Sequence, residues 1–146
     1  MAQEPAGCGG FPRLHKRAVA LAESKLVSVA AEGETVRVLL DALVHVSQGL
    51  PGVDGGTSWE QQVELAFEQA VIDRHPGELP LWLEGGGLAQ GGPASPEAAL
   101  VAVPQQLAGE VRLHLWAAGA QLIVRGRGLS VEEQGAARFV ERFEGA

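Results

Sequence analysis

The chain has 146 residues, 46% of them hydrophobic and 20% charged, with a formal net charge of −7. That balance suits a chain able to bury a core and excludes a collagen-like, low-complexity or fully disordered protein. Its apolar runs fall well short of the roughly 20 residues of a membrane-spanning helix.

A single cysteine, Cys8, excludes an intrachain disulfide framework and a cysteine-based zinc cluster. Met1 to Gly10 shows no basic start followed by an apolar block, so no secretory signal is legible there. The expectation is a flexible lead over 1–10 and a single globular domain over 11–146, located in the cytoplasm. Charge is distributed unevenly. Residues 1–33 hold four bases and three acids, 34–100 two bases and ten acids, and 101–146 five of each. An acidic middle repels nucleic acid and anionic membranes, so the expected partners include neither.

Taken in chain order, the spacing predicts an α+β fold. Phe11, Leu14, Ala18, Leu21, Ala22, Leu26 and Val29 recur at helical intervals behind Pro12, which predicts helix A over about 12–31. Gly33 stops it. Val36, Leu39, Leu40, Leu43 and Val46 predict helix B over 34–48, although Thr35 to Val38 alone would alternate as a strand. Ser58 and Gln61 form a capping-box pattern before Trp59, Val63, Phe67, Ala70 and Val71, which predicts helix C over 59–73. Glu60, Glu64 and Glu68 step along its solvent side.

Leu79 to Leu83 reads as a short extended segment, and Gly85 to Pro96 as a Gly/Pro-rich loop. Residues 97–103 fit a short helix or a strand. The segment 110–126 predicts a hairpin of a small antiparallel sheet, turning at Ala118-Gly119. Leu115 then faces Leu122, Leu113 faces Val124 and Val111 faces Gly126, so one face is aliphatic. A slip of one residue would destroy that sorting. Ser130, Glu132 and Glu133 open a C-terminal helix over about 130–143 that buries Val131, Phe139, Val140 and Phe143.

The chemistry-bearing residues do not assemble into a catalytic pattern. His15, His45, His75 and His114 lack the spacing of a helical zinc site, so the expected metal and cofactor content is none. The glycines of 85–92 lack the Lys-Ser/Thr of a phosphate-binding loop. Asp54-Gly55-Gly56 resembles the acidic-glycine box of histidine-kinase-type ATPase folds, but no Asn-bearing helix precedes it. Three helices and a hairpin resemble the order of a winged-helix DNA binder. There the third helix needs bases, whereas helix C carries Glu60, Glu64, Glu68 and Asp73. No catalytic residue is assigned.

The candidate protein-contact residues are Arg112, His114, Trp116, Ile123 and Arg125, on the hairpin's reverse face, because Trp and Arg are enriched at contact hot spots. The expected function is a non-enzymatic accessory or adaptor protein, binding a protein partner or a second copy as a subunit of a larger complex. The alternative is a small enzyme or nucleotide- or ligand-binding domain with a pocket near the loop 85–96.

Overall fold

The computed structural model describes residues 16–47, 55–92 and 94–143 and contains strands but no helix among them. Nine strands follow in order: β1 (Lys16–Glu32), β2 (Thr35–Ser47), β3 (Gly56–Phe67), β4 (Val71–Arg74), β5 (Leu81–Trp82), β6 (Gly85–Gln90), β7 (Leu100–Ala102), β8 (Gln105–Ala117) and β9 (Ala120–Phe143). The α+β expectation is therefore corrected to all-β. Helix A is β1, helix B is β2, helix C is β3 running into β4, and the C-terminal helix is the end of β9. The Gly/Pro-rich loop contains β6, and residues 100–102 of the undecided segment are β7. The lead 1–10, Phe11 to His15 and Asp54 lie outside the described residues.

The physical reason is an aliasing of periods. In β3 the inward row runs Trp59, Gln61, Val63, Leu65 and Phe67, with every member from Gln61 onward buried. Picking every other member of that row gives Trp59, Val63 and Phe67, four apart and close to the 3.6 residues of a helical turn. Glu60, Glu64 and Glu68 alias in the same way. In β2 the buried row is Val36, Val38, Leu40, Ala42 and Val44, an unbroken alternation. Leu39 and Leu43 on the opposite face hid it by completing a helix-like stripe. Valine enrichment was the remaining strand signal, since β-branched side chains suit a pleated surface.

The strands pair antiparallel in the order β5-β1-β2-β3-β9-β8-β6, with β4 added to β9 and β7 to β1. The sheet curls into a half-barrel. Its open side is crossed by the chain itself, because only Val103 and Pro104 separate β7, on β1, from β8, on β9. A single bridge, Leu88 to Ala98, ties β6 to the segment leading into β7. The curl turns one face of every long strand toward a common core that includes Leu21, Leu40, Val63, Phe67, Leu113, Leu122 and Val131.

Ladder register explains several local choices. The hairpin of β8 and β9 pairs Leu115 with Leu122, Leu113 with Val124 and Val111 with Gly126, the expected register. Its turn residues Ala118 and Gly119 have φ of 35° and 83°, the left-handed pair that a two-residue hairpin requires. In β1 the pairing to β2 shifts between Ala20 and Lys25. There the buried Ser24 hydroxyl donates to the Ala20 carbonyl and accepts from the Leu43 amide, at 2.8 and 3.1 Å, satisfying backbone groups that the shifted register leaves out.

Phe67 is fully buried against this core. Phe67→Ala is expected to cost about 3–5 kcal/mol of stability, the range for large buried aromatics. Equilibrium urea unfolding measures this, and a loss under about 1 kcal/mol would contradict the packing described.

Candidate functional site

Register places the five expected contact residues on the sheet's outer face. Trp116 opposes Gln121, His114 opposes Ile123 and Arg112 opposes Arg125. Arg112, His114, Trp116 and Ile123 are half-buried, while Arg125 is exposed.

Neighbouring elements engage most of this face. Arg112 Nη2 donates to Glu97 Oε2 at 3.2 Å, and His114 Nδ1 stands 3.9 Å from the same oxygen. The rings of His114 and Trp116 are 4.7 Å apart. Arg125 makes a two-pronged contact to Asp73 of β4, with Nε to Oδ2 at 2.5 Å and Nη2 to Oδ1 at 3.0 Å. That contact holds the Asp73 carboxyl below its ordinary range, chiefly through the hydrogen bond from Arg125, and raises the guanidinium in turn.

The glycines of β6 serve this arrangement rather than a phosphate cradle. Gly85 opposes Trp116 and Gly87 opposes His114. A Cβ at Gly85 would overlap the Trp116 indole, and one at Gly87 would overlap the Glu97 side chain. Absent side chains make two slots, one for a ring and one for a carboxylate.

A cavity of about 350 Å³ opens between β6, β7 and the start of β8, lined by Leu88, Gln90, Pro96, Ala98, Leu100, Val101, Ala102, Gln105 and Leu107. It lies beside the segment where a pocket was expected, and its lining carries no charged side chain.

The inner face holds a second polar grouping that sequence reading missed. Arg17 of β1 opposes Val46, and Glu133 of β9 opposes Val63, so both continue inward rows. The curl brings them together, with Arg17 Nη2 2.5 Å from Glu133 Oε2. Gln61 of β3 is only 8% exposed, and its Nε2 donates to the Gly135 carbonyl at 2.9 Å. The β3–β9 ladder shifts register beside it, between Glu60 and Gln62. Such irregularities bend a strand and re-aim its side chains.

Next along the inward row of β3 comes Trp59, which meets Phe139 edge to face at 5.3 Å. Its Nε1 donates to Thr57 Oγ1 at 2.8 Å. Phe139 and Val140 are 49% and 41% exposed, although both were expected to be buried. The available signal was a polar residue continuing an apolar alternation, as in Leu129, Val131, Glu133. It is readable only in a strand frame.

The histidines do not converge. His45 contacts Glu23 and Ser58, the His75 ring accepts from the Gly77 amide, His114 faces Glu97, and His15 lies outside the described residues. No group of three or more metal-ligating side chains gathers among the described residues. No protein-family model, curated protein or solved structure matches this chain.

The lowered Asp73 carboxyl generates a pH dependence. A depressed carboxylate contributes stability above its unfolded value, near 3.8, and loses that contribution as pH falls through the lower folded value. Thermal melts between about pH 5 and pH 2 are expected to fall less steeply for Asp73→Asn than for the parent chain. Because both partners are solvent-accessible, the difference should shrink in high salt.

Proposed function

We propose that this protein is a non-enzymatic contact module, an accessory or adaptor protein that works by binding another protein. The observation carrying this reading is the end of β9, where Phe139 and Val140 sit side by side and exposed. From Glu132 onward β9 pairs with β3 on one side, and no strand pairs with its other edge among the described residues.

Large apolar side chains beside unpaired backbone donors and acceptors combine two sources of affinity, side-chain burial and strand addition. Arg138, paired with Glu60, and the exposed Glu141 and Arg142 flank the apolar pair. A charged rim of that kind discourages indiscriminate edge pairing and favours a matched partner. The hairpin face is a less ready surface, because a partner would have to displace Asp73 and Glu97 to reach the arginines.

One observation favours a second reading, a ligand-binding domain. The cavity between β6, β7 and β8 is lined mainly by apolar side chains together with Gln90 and Gln105, and concave sites with a few polar groups are where small molecules bind.

Phe139→Asp and Trp116→Ala distinguish the surfaces. Phe139→Asp is expected to weaken partner binding or self-association at least tenfold, and to lower the melting temperature by no more than the loss of its edge-to-face contact with Trp59. Trp116→Ala is expected to lower the melting temperature, since it empties the slot over Gly85. Sedimentation velocity and affinity purification from the native host, with melts alongside, provide the readouts. Binding that survives Phe139→Asp and is lost with Trp116→Ala at unchanged melting temperature would return the contact site to the hairpin face.

A further inference from the structure

Pairing between β6 and the segment 96–102, which ends in β7, is reduced to one bridge, in which Leu88 and Ala98 exchange backbone hydrogen bonds at 2.9 Å. From Leu100 that segment pairs with β1 instead, while β6 stays with β8 as far as Gln90 and Val111. The cavity of about 350 Å³ opens beside this bridge, with Leu88 and Ala98 both in its lining.

Its walls have a consistent chemistry. Pro96, Ala98, Leu100 and Ala102 line it at every second position of the segment, and Leu88, Val101 and Leu107 complete the apolar surface. The charged side chain of that segment, Glu97, is engaged elsewhere. It packs where Gly87 lacks a Cβ and accepts from Arg112 Nη2 at 3.2 Å. Glu97 therefore pins the wall to the sheet while its charge meets a counter-charge that is not part of the cavity. The polar groups left in the lining are the carboxamides of Gln90 and Gln105.

These features select a ligand class. Water against apolar walls makes few hydrogen bonds, so an apolar group that displaces it gains affinity. A carboxylate or an ammonium would give up hydration there without meeting an opposite charge. A neutral hydroxyl can donate to a carboxamide or accept from one. The volume falls within the range of small-molecule sites, about 300–1,000 Å³. We propose that this cavity binds a small uncharged amphiphile, an aliphatic chain carrying a hydroxyl or similar neutral group. The chain lies against Leu88, Leu100 and Leu107, and the polar group meets Gln90 and Gln105. The proposal rests on the ligand-binding reading of the cavity and not on the contact reading of Phe139 and Val140.

The test is a titration of the full chain with n-octanol, followed through the Leu and Val methyl cross-peaks in a ¹³C-correlation spectrum. Octanoate and octylammonium are run in parallel. The expected result is saturable movement of the Leu88, Leu100, Val101 and Leu107 methyls by octanol, with a Kd on the order of 0.1–1 mM for so small a ligand. Each charged probe should bind at least tenfold more weakly. Ala102→Phe, which fills the cavity, and Leu100→Ser, which strips its apolar lip, should each weaken octanol binding at least fivefold. Both positions are exposed, and melts check that the variants are folded.

No saturable movement with any probe overturns the proposal and the ligand-binding reading together. Saturation by octanoate or octylammonium as tight as by octanol overturns the proposed class and leaves that reading in place. Octanol binding unchanged in both folded variants also overturns the proposal. So does movement of the same methyls with protein concentration alone, which a second copy docking there would give.

Discussion

The structure depends on one constraint: the alternate side chains of its long strands must reach a common core, and a flat sheet cannot bring them there. Right-handed strand twist and shifts of register let the sheet curl until β1 and β9, three steps apart in the strand order, face one another. The irregularities are part of that curl. Ser24 repairs the backbone hydrogen bonding in β1, and the shift around Gln61 bends the end of β3 against β9.

Curling also decides the environment of charged side chains. Outside, Asp73 and Glu97 neutralise arginines in solvent, where such pairs contribute little to stability but fix the surface's shape. Inside, Arg17 and Glu133 meet across the open side of the half-barrel, partly withdrawn from water, with side-chain exposures of 39% and 19%. Desolvation makes that pair expensive unless its remaining hydrogen-bonding capacity is met. Arg17, Gln61 and Glu133 make this end of the core polar, unlike the aliphatic remainder.

The inner polar group and the exposed apolar pair share a strand. β9 supplies Glu133 to the inner polar group and, six residues later, Phe139 to the exposed apolar pair. Trp59 stands near both, two positions from Gln61 and against Phe139. The exposed apolar pair and the inner polar group therefore lie on the same short ribbon of β3 and β9. The cavity by β6 and β7 is a separate feature, formed where one bridge ties the strands across the open side.

The sequence by itself determined the hairpin, since only one register of 110–126 sorts Leu113, Leu115, Leu122 and Val124 from Arg112, His114 and Trp116, and Ala118-Gly119 can make its turn. It also determined that Phe67 would be buried, because that position is inward in either reading. It did not determine the element type of 16–47, 56–74 or 129–143. Every second residue of an alternating strand falls close to a helical turn, and apolar residues on both faces, such as Leu39 and Leu43, erase the remaining contrast. Only the tertiary structure decided that Gly85 and Gly87 are slots for Trp116 and Glu97. It alone brought Arg17 to Glu133, 116 positions apart in the chain. Close approach between distant strands follows from the curl of a whole sheet, which no local spacing of residues encodes.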